Sequence, residues 1–212
     1  NFSNSTTAKY TISKLSWDNL TFEDIDDQVY QGGDAITPVP VIKYGDITLD
    51  SSLFDFDYSN NINVSTGASV IIFPAEAYEN CFSNVPEDGT TVNFSIVRAS
   101  LADATIVSVD TVTYTGSPID LDYSVTLNGH TLTLNTDYSS NISILARTNV
   151  GSFTFTLTGQ GNYTGSIQKT IVIVAANLAD CTISDIAAVT YSANPEGDIP
   201  SVAPVLTYNS TT

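Results

Sequence analysis

The side chains that could carry out catalysis are few in this chain. His130 is the only histidine, and it follows a predicted two-residue hairpin turn, so neither a Ser-His-Asp triad nor a Cys/His zinc site has usable spacing around it. The carboxylate pairs Asp55/Asp57 and Asp120/Asp122 are two residues apart, which on a strand places each pair on one face and not across a cleft. No glycine-rich phosphate loop opens a helix. We therefore expect a protein that is not an enzyme.

A metal ion is the next chemistry to consider, because acidic residues cluster in FEDIDDQ, residues 22–28. Oxygen-rich loops between sandwich domains can bind Ca²⁺ and stiffen a row of domains. The candidate ligands are Glu23, Asp24, Asp26 and Asp27, although their spacing matches no known calcium loop. We expect no cofactor, with calcium at this cluster as the alternative.

The two cysteines, Cys81 and Cys181, lie in non-equivalent positions of the repeats described below, which excludes a disulfide repeated within each domain. Two interpretations stay open. Either both are unpaired thiols, or they form a bond between domains or between subunits.

The pattern Asn-x-Ser/Thr, which marks acceptors for N-glycosylation, recurs along the chain. One interpretation is a β-protein rich in Thr, Ser and Asn, and the other is a glycosylated surface protein, with Asn141 and Asn162 as the first choices. The pattern occurs at Asn1, Asn4, Asn19, Asn63, Asn93, Asn141, Asn162 and Asn209.

Charge restricts the partners of the protein. The 212 residues carry a net charge of −17, with only 6 Lys and Arg, so nucleic acids and anionic membrane surfaces are poor partners. No stretch approaches the roughly 20 apolar residues of a membrane helix, so we expect no membrane insertion of this segment. The chain begins at Asn1 and has no Met, which is typical of a processed product or an excerpt of a longer protein.

The elements that position these residues repeat along the chain. LADATIVSVDTVTYTGSP, from Leu101, recurs as LADCTISDIAAVTYSANP, from Leu178, which makes Tyr114 and Tyr191 equivalent. A period of this length, with its own turns, indicates one small domain per repeat. We predict a closing strand of a preceding repeat in 1–14, complete repeats in 15–100 and 101–176, and the first half of a further repeat in 177–212.

Each repeat has the two-residue periodicity of strands, and Asn128-Gly129 is a strong hairpin signal. The pattern predicts an all-β fold of tandem immunoglobulin-like antiparallel β-sandwiches, with about seven strands each. In the first repeat we align Tyr44-Gly45 with Asn128-Gly129, and Asp57-Tyr58 with Asp137-Tyr138. This repeat carries a long loop, residues 74–89, where the second has the compact GQGNYTG.

The order YTGSP, LNG, TDYS, NVG, GQGNYTG and an apolar strand resembles bacterial Ig-like repeats of the MBG type. The resemblance covers nearly the whole chain and is closest over 101–175. It implies a sandwich fold and a location at the cell surface or outside the cell, and it offers no catalytic residue.

Two functions follow as expectations. The first is a structural module of an extracellular stalk, adhesin shaft or filament, whose partners are other copies of itself or adjacent repeats of the same chain. The second is an adhesin module that binds a glycan or receptor through Tyr78 and Phe82 of the 74–89 loop. Near-absent linkers at residues 14–15, 100–101 and 176–177 predict a stiff row of domains.

The ends of the chain carry a further expectation. The strand AKYTISK, residues 8–14, is of the type that closes a sandwich, whereas 178–212 contains only opening strands. Either a neighbouring copy supplies the missing strand, or the chain belongs to a longer tandem array. Both alternatives predict that 1–14 pairs as a strand with something outside residues 15–100, and not as a strand of the 15–100 sandwich.

Overall fold

The structure is a computed structural model that describes residues 7–142, 148–186, 188 and 203–208. These residues form β-strands joined by short 3-10 turns, so the all-β, sandwich-type fold predicted from the sequence is confirmed. The chain divides into two compact units, residues 1–99 and 100–212.

The first unit is a sandwich of a four-stranded sheet, in the order β3-β9-β7-β6, and a three-stranded sheet, β2-β4-β5, with a short β1-β8 pair. Its strands are β1 (Leu15–Ser16), β2 (Leu20–Phe22), β3 (Gln28–Val29), β4 (Ile42–Tyr44), β5 (Ile47–Thr48), β6 (Phe54–Ser59), β7 (Ser65–Pro74), β8 (Phe82–Ser83) and β9 (Thr90–Val97).

The core of this unit is aromatic. Trp17, at the start of a 3-10 turn (Trp17–Asn19), is buried against the rings of Phe22, Phe54 and Phe82, with centroids 5.4–5.8 Å apart. Side chains from both sheets complete the cluster, namely Ile42, Val70, Ile72 and Val92. Alternation along β7 and β9 explains this, because every second residue points inward.

The second unit repeats the same element order. Its sheets are β12-β18-β16-β15 and β11-β13-β14, followed by a β19-β20 pair. Its strands are β10 (Ala99–Ser100), at the boundary between the units, β11 (Thr105–Ser108), β12 (Thr111–Thr113), β13 (Tyr123–Leu127), β14 (His130–Thr131), β15 (Tyr138–Ser140), β16 (Gly151–Gly159), β17 (Tyr163–Thr164), β18 (Ser166–Val174), β19 (Thr182–Ile183) and β20 (Leu206–Thr207).

The core of the second unit places its largest rings on different strands. Phe153 and Phe155 lie on β16 where β7 carries Ala68 and Val70, whereas Leu101 replaces Trp17 at the start of the 3-10 turn. Other buried side chains include Val125, Leu127, Leu157, Ile171 and Ile173.

Not every strand pair is antiparallel, in contrast to the expectation. The third strand of each repeat pairs in parallel with the last: β3 with β9 through Gln28↔Ile96 and Val29↔Val97, and β12 with β18 through three residue pairs, Thr111↔Val172 to Thr113↔Val174. β1 and β8 are parallel as well. The chain therefore changes sheets between its second and third strands, which brings the beginning and end of each repeat side by side.

The register corrects two alignments made from the sequence. Phe54 lies opposite Pro74 in the first repeat, and Tyr138 lies opposite Gly159 in the second, so Tyr138 corresponds to Phe54 and not to Tyr58. In the hairpins, Gly45-Asp46 lies between paired Tyr44 and Ile47, so it is Gly45-Asp46 that matches Asn128-Gly129. The Asn128-Gly129 turn itself forms as predicted, with φ of 51° and 84°.

Candidate functional site

The long loop of the first repeat, residues 74–89, contains a 3-10 helix (Glu76–Cys81) anchored by hydrogen bonds of 2.9 Å from the Ala75 N–H to the Leu53 carbonyl and 2.7 Å from the Tyr78 N–H to the Ala75 carbonyl. The two residues of this loop that were expected to bind a ligand differ in their exposure. Tyr78 is 37% exposed, whereas Phe82 is 4% exposed and packs on Trp17 and Phe54. Phe82 is thus a core residue and cannot contact a ligand at the surface of the loop.

The carboxylates of the acidic stretch that follows β2 do not form one cluster. Glu23 forms an ion pair with Lys43 on the neighbouring strand, and its N–H donates to the Val41 carbonyl at 2.9 Å. Asp24 borders a shallow groove beside Thr90–Asn93. Within the described part of the chain, no three His, Cys, Asp or Glu side chains come close enough to hold a metal ion, and Glu23, Asp24, Asp26 and Asp27 are no exception.

Both cysteines are free thiols. Cys81 is exposed at the end of the 3-10 helix, and Cys181 is half-buried just before β19. A bond to another subunit stays a prediction for either of them.

The candidate glycosylation sites differ in accessibility. Asn19, Asn63 and Asn93 are exposed. Asn141 is exposed too, but its Oδ1 accepts a hydrogen bond of 2.6 Å from the Thr156 N–H, and Asn162 is half-buried. Asn1, Asn4 and Asn209 lie outside the described residues.

The residues considered for catalysis are dispersed. His130 is half-buried at the first position of β14, where it pairs with Leu127. Asp55 and Asp57 are exposed on the outer side of β6. Asp120 and Asp122 are also exposed, but they precede β13 and do not lie on a strand.

The second unit has an open apolar groove of about 400 Å³. The sequence did not predict this groove. One side is formed by Tyr114, Gly116 and Val150. The other side belongs to the segment that starts at Leu178 and includes Cys181, Leu206 and Tyr208. The signal that could have located this groove is the recurrence at Leu178 of the LAD motif that opens the second repeat at Leu101.

Comparison with known proteins identifies no relative of this chain. No protein-family model and no curated protein matches this chain significantly. Among the described residues, no helix has both the length and the apolar character needed to span a bilayer.

Proposed function

We propose that this chain is a structural module of an extracellular stalk, adhesin shaft or filament, in which Ig-like domains follow one another and transmit tension. The observation that carries the proposal is the parallel pairing of the third and last strands in each repeat, β3 with β9 and β12 with β18.

The parallel pairing of the third and last strands resists tension for a geometric reason. Two short strands precede the third strand of each repeat, and the chain leaves the repeat through the last strand. Once a pull on the two ends reaches the third strand, it slides the third and last strands along each other. All the hydrogen bonds of the pair are then strained together, including those of 3.0 Å from Tyr30 N–H to Val97 and of 2.9 Å from Tyr114 N–H to Val174. A hairpin pulled open from one end loses its bonds one at a time.

The second repeat has the stronger version of this pair. It joins three residue pairs instead of two, and Lys169 on β18 forms an ion pair of 2.6 Å with Asp110, which immediately precedes β12. Asp110 is 80% exposed, so the ion pair contributes only a small part of the resistance.

The connections between repeats also support a shaft. β9 ends at Val97 and β18 ends at Val174, and in both cases a 3-10 turn begins four residues later, at Leu101 and Leu178. Connections this short, without glycine, leave little freedom between domains.

Single-molecule force spectroscopy tests this function. The full chain is pulled through its ends, and in a second attachment through Ser59→Cys and Ser69→Cys, with Cys81→Ser and Cys181→Ser as background. Ser59 and Ser69 face each other on β6 and β7, so the second attachment unzips a hairpin. We expect clearly higher unfolding forces through the ends, with the second repeat the stronger. Equal forces for the two attachments would exclude the shaft.

A second function, binding of a glycan or receptor, is favoured by one observation, the exposed Tyr78 ring between Glu76 and Glu79 on the 74–89 loop. The test is a glycan array with the full chain and with Tyr78→Ala. Binding that is lost in the variant would favour this function, and no binding by either protein would exclude it.

A further inference from the structure

The two repeats can be compared where the chain crosses from one sheet of the sandwich to the other. The crossing segments are residues 23–27, between β2 and β3, and residues 109–110, between β11 and β12. After each crossing, the third and last strands pair in the same register, with Gln28↔Ile96 corresponding to Val112↔Ile173. Counting back from these pairs therefore identifies equivalent positions on the crossing segments and on the closing strands, β9 and β18.

In the second repeat, a lysine joins these two elements. Lys169 lies four residues before Ile173 and on the same, inward side of β18, and its side chain is only 23% exposed. Its Nζ donates a hydrogen bond of 2.6 Å to Oδ1 of Asp110, two residues before Val112. The ammonium therefore connects the closing strand to the crossing segment.

The first repeat keeps the acid but has no such lysine. Asp26 corresponds to Asp110, and Val92, which is 7% exposed, takes the position of Lys169. No lysine or arginine in the described part of the chain forms an ion pair with Asp26. The cation that Asp110 finds in its own repeat is thus missing for Asp26.

The shallow groove of the first repeat, about 410 Å³ in volume, lies at this position, because Val92 is one of its lining residues. Asp24, on the same crossing segment as Asp26, borders the groove and is exposed. No described lysine or arginine pairs with Asp24, since Lys43 is bound by Glu23. The remaining lining residues come from β2 and β9, namely Phe22, Thr90, Thr91 and Asn93.

The main chain beside this groove is an open strand edge. β3 pairs with only Ile96 and Val97 of β9, and β7 occupies the other side of β9. None of the described strands pairs with residues 90–95 on the side of β3. Residues 7–14, predicted from the sequence as a closing strand, form no strand and leave this edge as it is. The N–H and C=O groups of such an edge can pair with an added strand.

We propose that this groove binds an extended, lysine-bearing segment of another protein, whose ammonium pairs with Asp24 and Asp26 as Lys169 pairs with Asp110. The main chain of the segment adds to the edge of β9. Apolar side chains on the same face as the lysine contact Phe22. The site gives the first repeat a docking function that does not depend on its role in a shaft.

Charge favours this occupant over a second copy of the chain. A net charge of −17 attracts a cationic segment over a distance, whereas two copies with this charge repel each other. The second repeat does not offer an equal site, because Lys169 already neutralises Asp110 and the position of Asp24 is taken by Ser108.

Isothermal titration calorimetry of the full chain tests the proposal with a blocked peptide, Thr-Val-Thr-Lys-Thr-Val-Thr, in which the lysine and both valines share one face. The matched peptide has Glu in place of Lys. We expect the lysine peptide to bind at one site per chain, more weakly as salt is added, and the glutamate peptide not to bind. Amide chemical shifts of Thr90–Asn93 should locate the bound lysine peptide.

Val92→Lys gives the first repeat the lysine of the second and should abolish binding. The double variant Asp24→Asn with Asp26→Asn changes only exposed side chains, and it should weaken binding about ten- to hundredfold by removing the charge-assisted contacts. Asp55→Asn with Asp57→Asn is the matched control. It removes the same charge from the outer side of β6 and should leave the affinity nearly unchanged.

No binding of the lysine peptide, equal binding of both peptides, or equal losses in the two double variants would overturn the proposal. Light scattering distinguishes the other occupant: wild-type oligomers that disappear in Val92→Lys would assign the groove to a second copy and also overturn it. None of these results affects the force measurement, so the shaft function is tested separately.

Discussion

The indole N–H of Trp17 donates a hydrogen bond of 2.8 Å to Oγ1 of Thr90, which links the turn that opens the first repeat to the first residue of its closing strand. Trp17 is only 3% exposed, so water has little access to its indole ring. Thr90→Val should lower the free energy of unfolding of the first repeat by about 1–3 kcal/mol, because a buried donor then lacks an acceptor.

Trp17 is the only tryptophan, so its fluorescence during urea denaturation reports the first repeat alone. Thr91→Val is the control, since Thr91 is exposed on the same strand and should change stability little. Equal effects of the two substitutions would show that the hydrogen bond contributes nothing.

The aromatic residues of the 74–89 loop should differ sharply in their contribution to stability. Phe82→Ala should cost about 3–5 kcal/mol, because it leaves a cavity beside Trp17 and Phe54. Tyr78→Ala should cost about 0.5 kcal/mol or less, because the ring is partly exposed and outside the core cluster. The same fluorescence-detected unfolding measures both, and a mild Phe82→Ala would contradict its assignment to the core.

Both the positive φ and the crowded surroundings at position 89 require a glycine. It has φ of +69°, and an added Cβ would lie 2.8 Å from Ile71, the Ile72 carbonyl and Phe73. Gly45 has a similar φ, +59°, with open space around it. Gly45→Ala should therefore cost about 1–2 kcal/mol from backbone strain alone.

Gly89→Ala should cost at least another ~1 kcal/mol because of the overlap. Thermal unfolding of the two variants measures the difference. Equal losses would mean that β7 moves aside without cost.

Stability of the second repeat should decrease in strong alkali because of Tyr138. Burial raises the pKa of this phenol to about 12, with smaller contributions from neighbouring Tyr123 and the charge of Asp137. The unfolded chain has the ordinary tyrosine pKa of about 10, so folding favours the neutral phenol. This contribution is complete below about pH 10 and is lost as the pH rises toward 12.

The ultraviolet absorbance of tyrosinate follows the titration. Tyr138→Phe identifies the late component, which is the one that titrates near pH 12. Tyr10→Phe, which removes an exposed ring, is the control. The late component should disappear only in Tyr138→Phe. If it persists there, another tyrosine is responsible.

Periodicity predicted the strands of this protein but not their register. The stretch FDFDYS alternates throughout, so Phe54 and Tyr58 fit the inward pattern equally well, and only the pairing of Phe54 with Pro74 distinguishes them. Asn128-Gly129 was predictable because both turn residues have positive φ, a combination that the dipeptide Asn-Gly strongly favours.

Phe82 was misplaced for a different reason. β8 has two residues and follows a 3-10 helix, so it has no periodicity that could reveal a strand. The parallel pairs were also hidden, because residues such as Val29 and Val97 are distant in sequence and are brought together only by the change of sheet. The open apolar groove was hidden for the same reason, because its lining residues, such as Tyr114 and Leu206, are distant in sequence.

The two repeats place their large core side chains on different strands, and we expect this difference to limit strand exchange while the chain folds. Neighbouring repeats with matching registers could exchange strands and form a hybrid sandwich. A hybrid with β16 in place of β7 would bring Phe155 into a core already filled by Trp17, whereas β7 beside Leu101 would leave Val70 facing a void. Both errors should cost packing energy, so we expect each repeat to favour its own strand over its neighbour's.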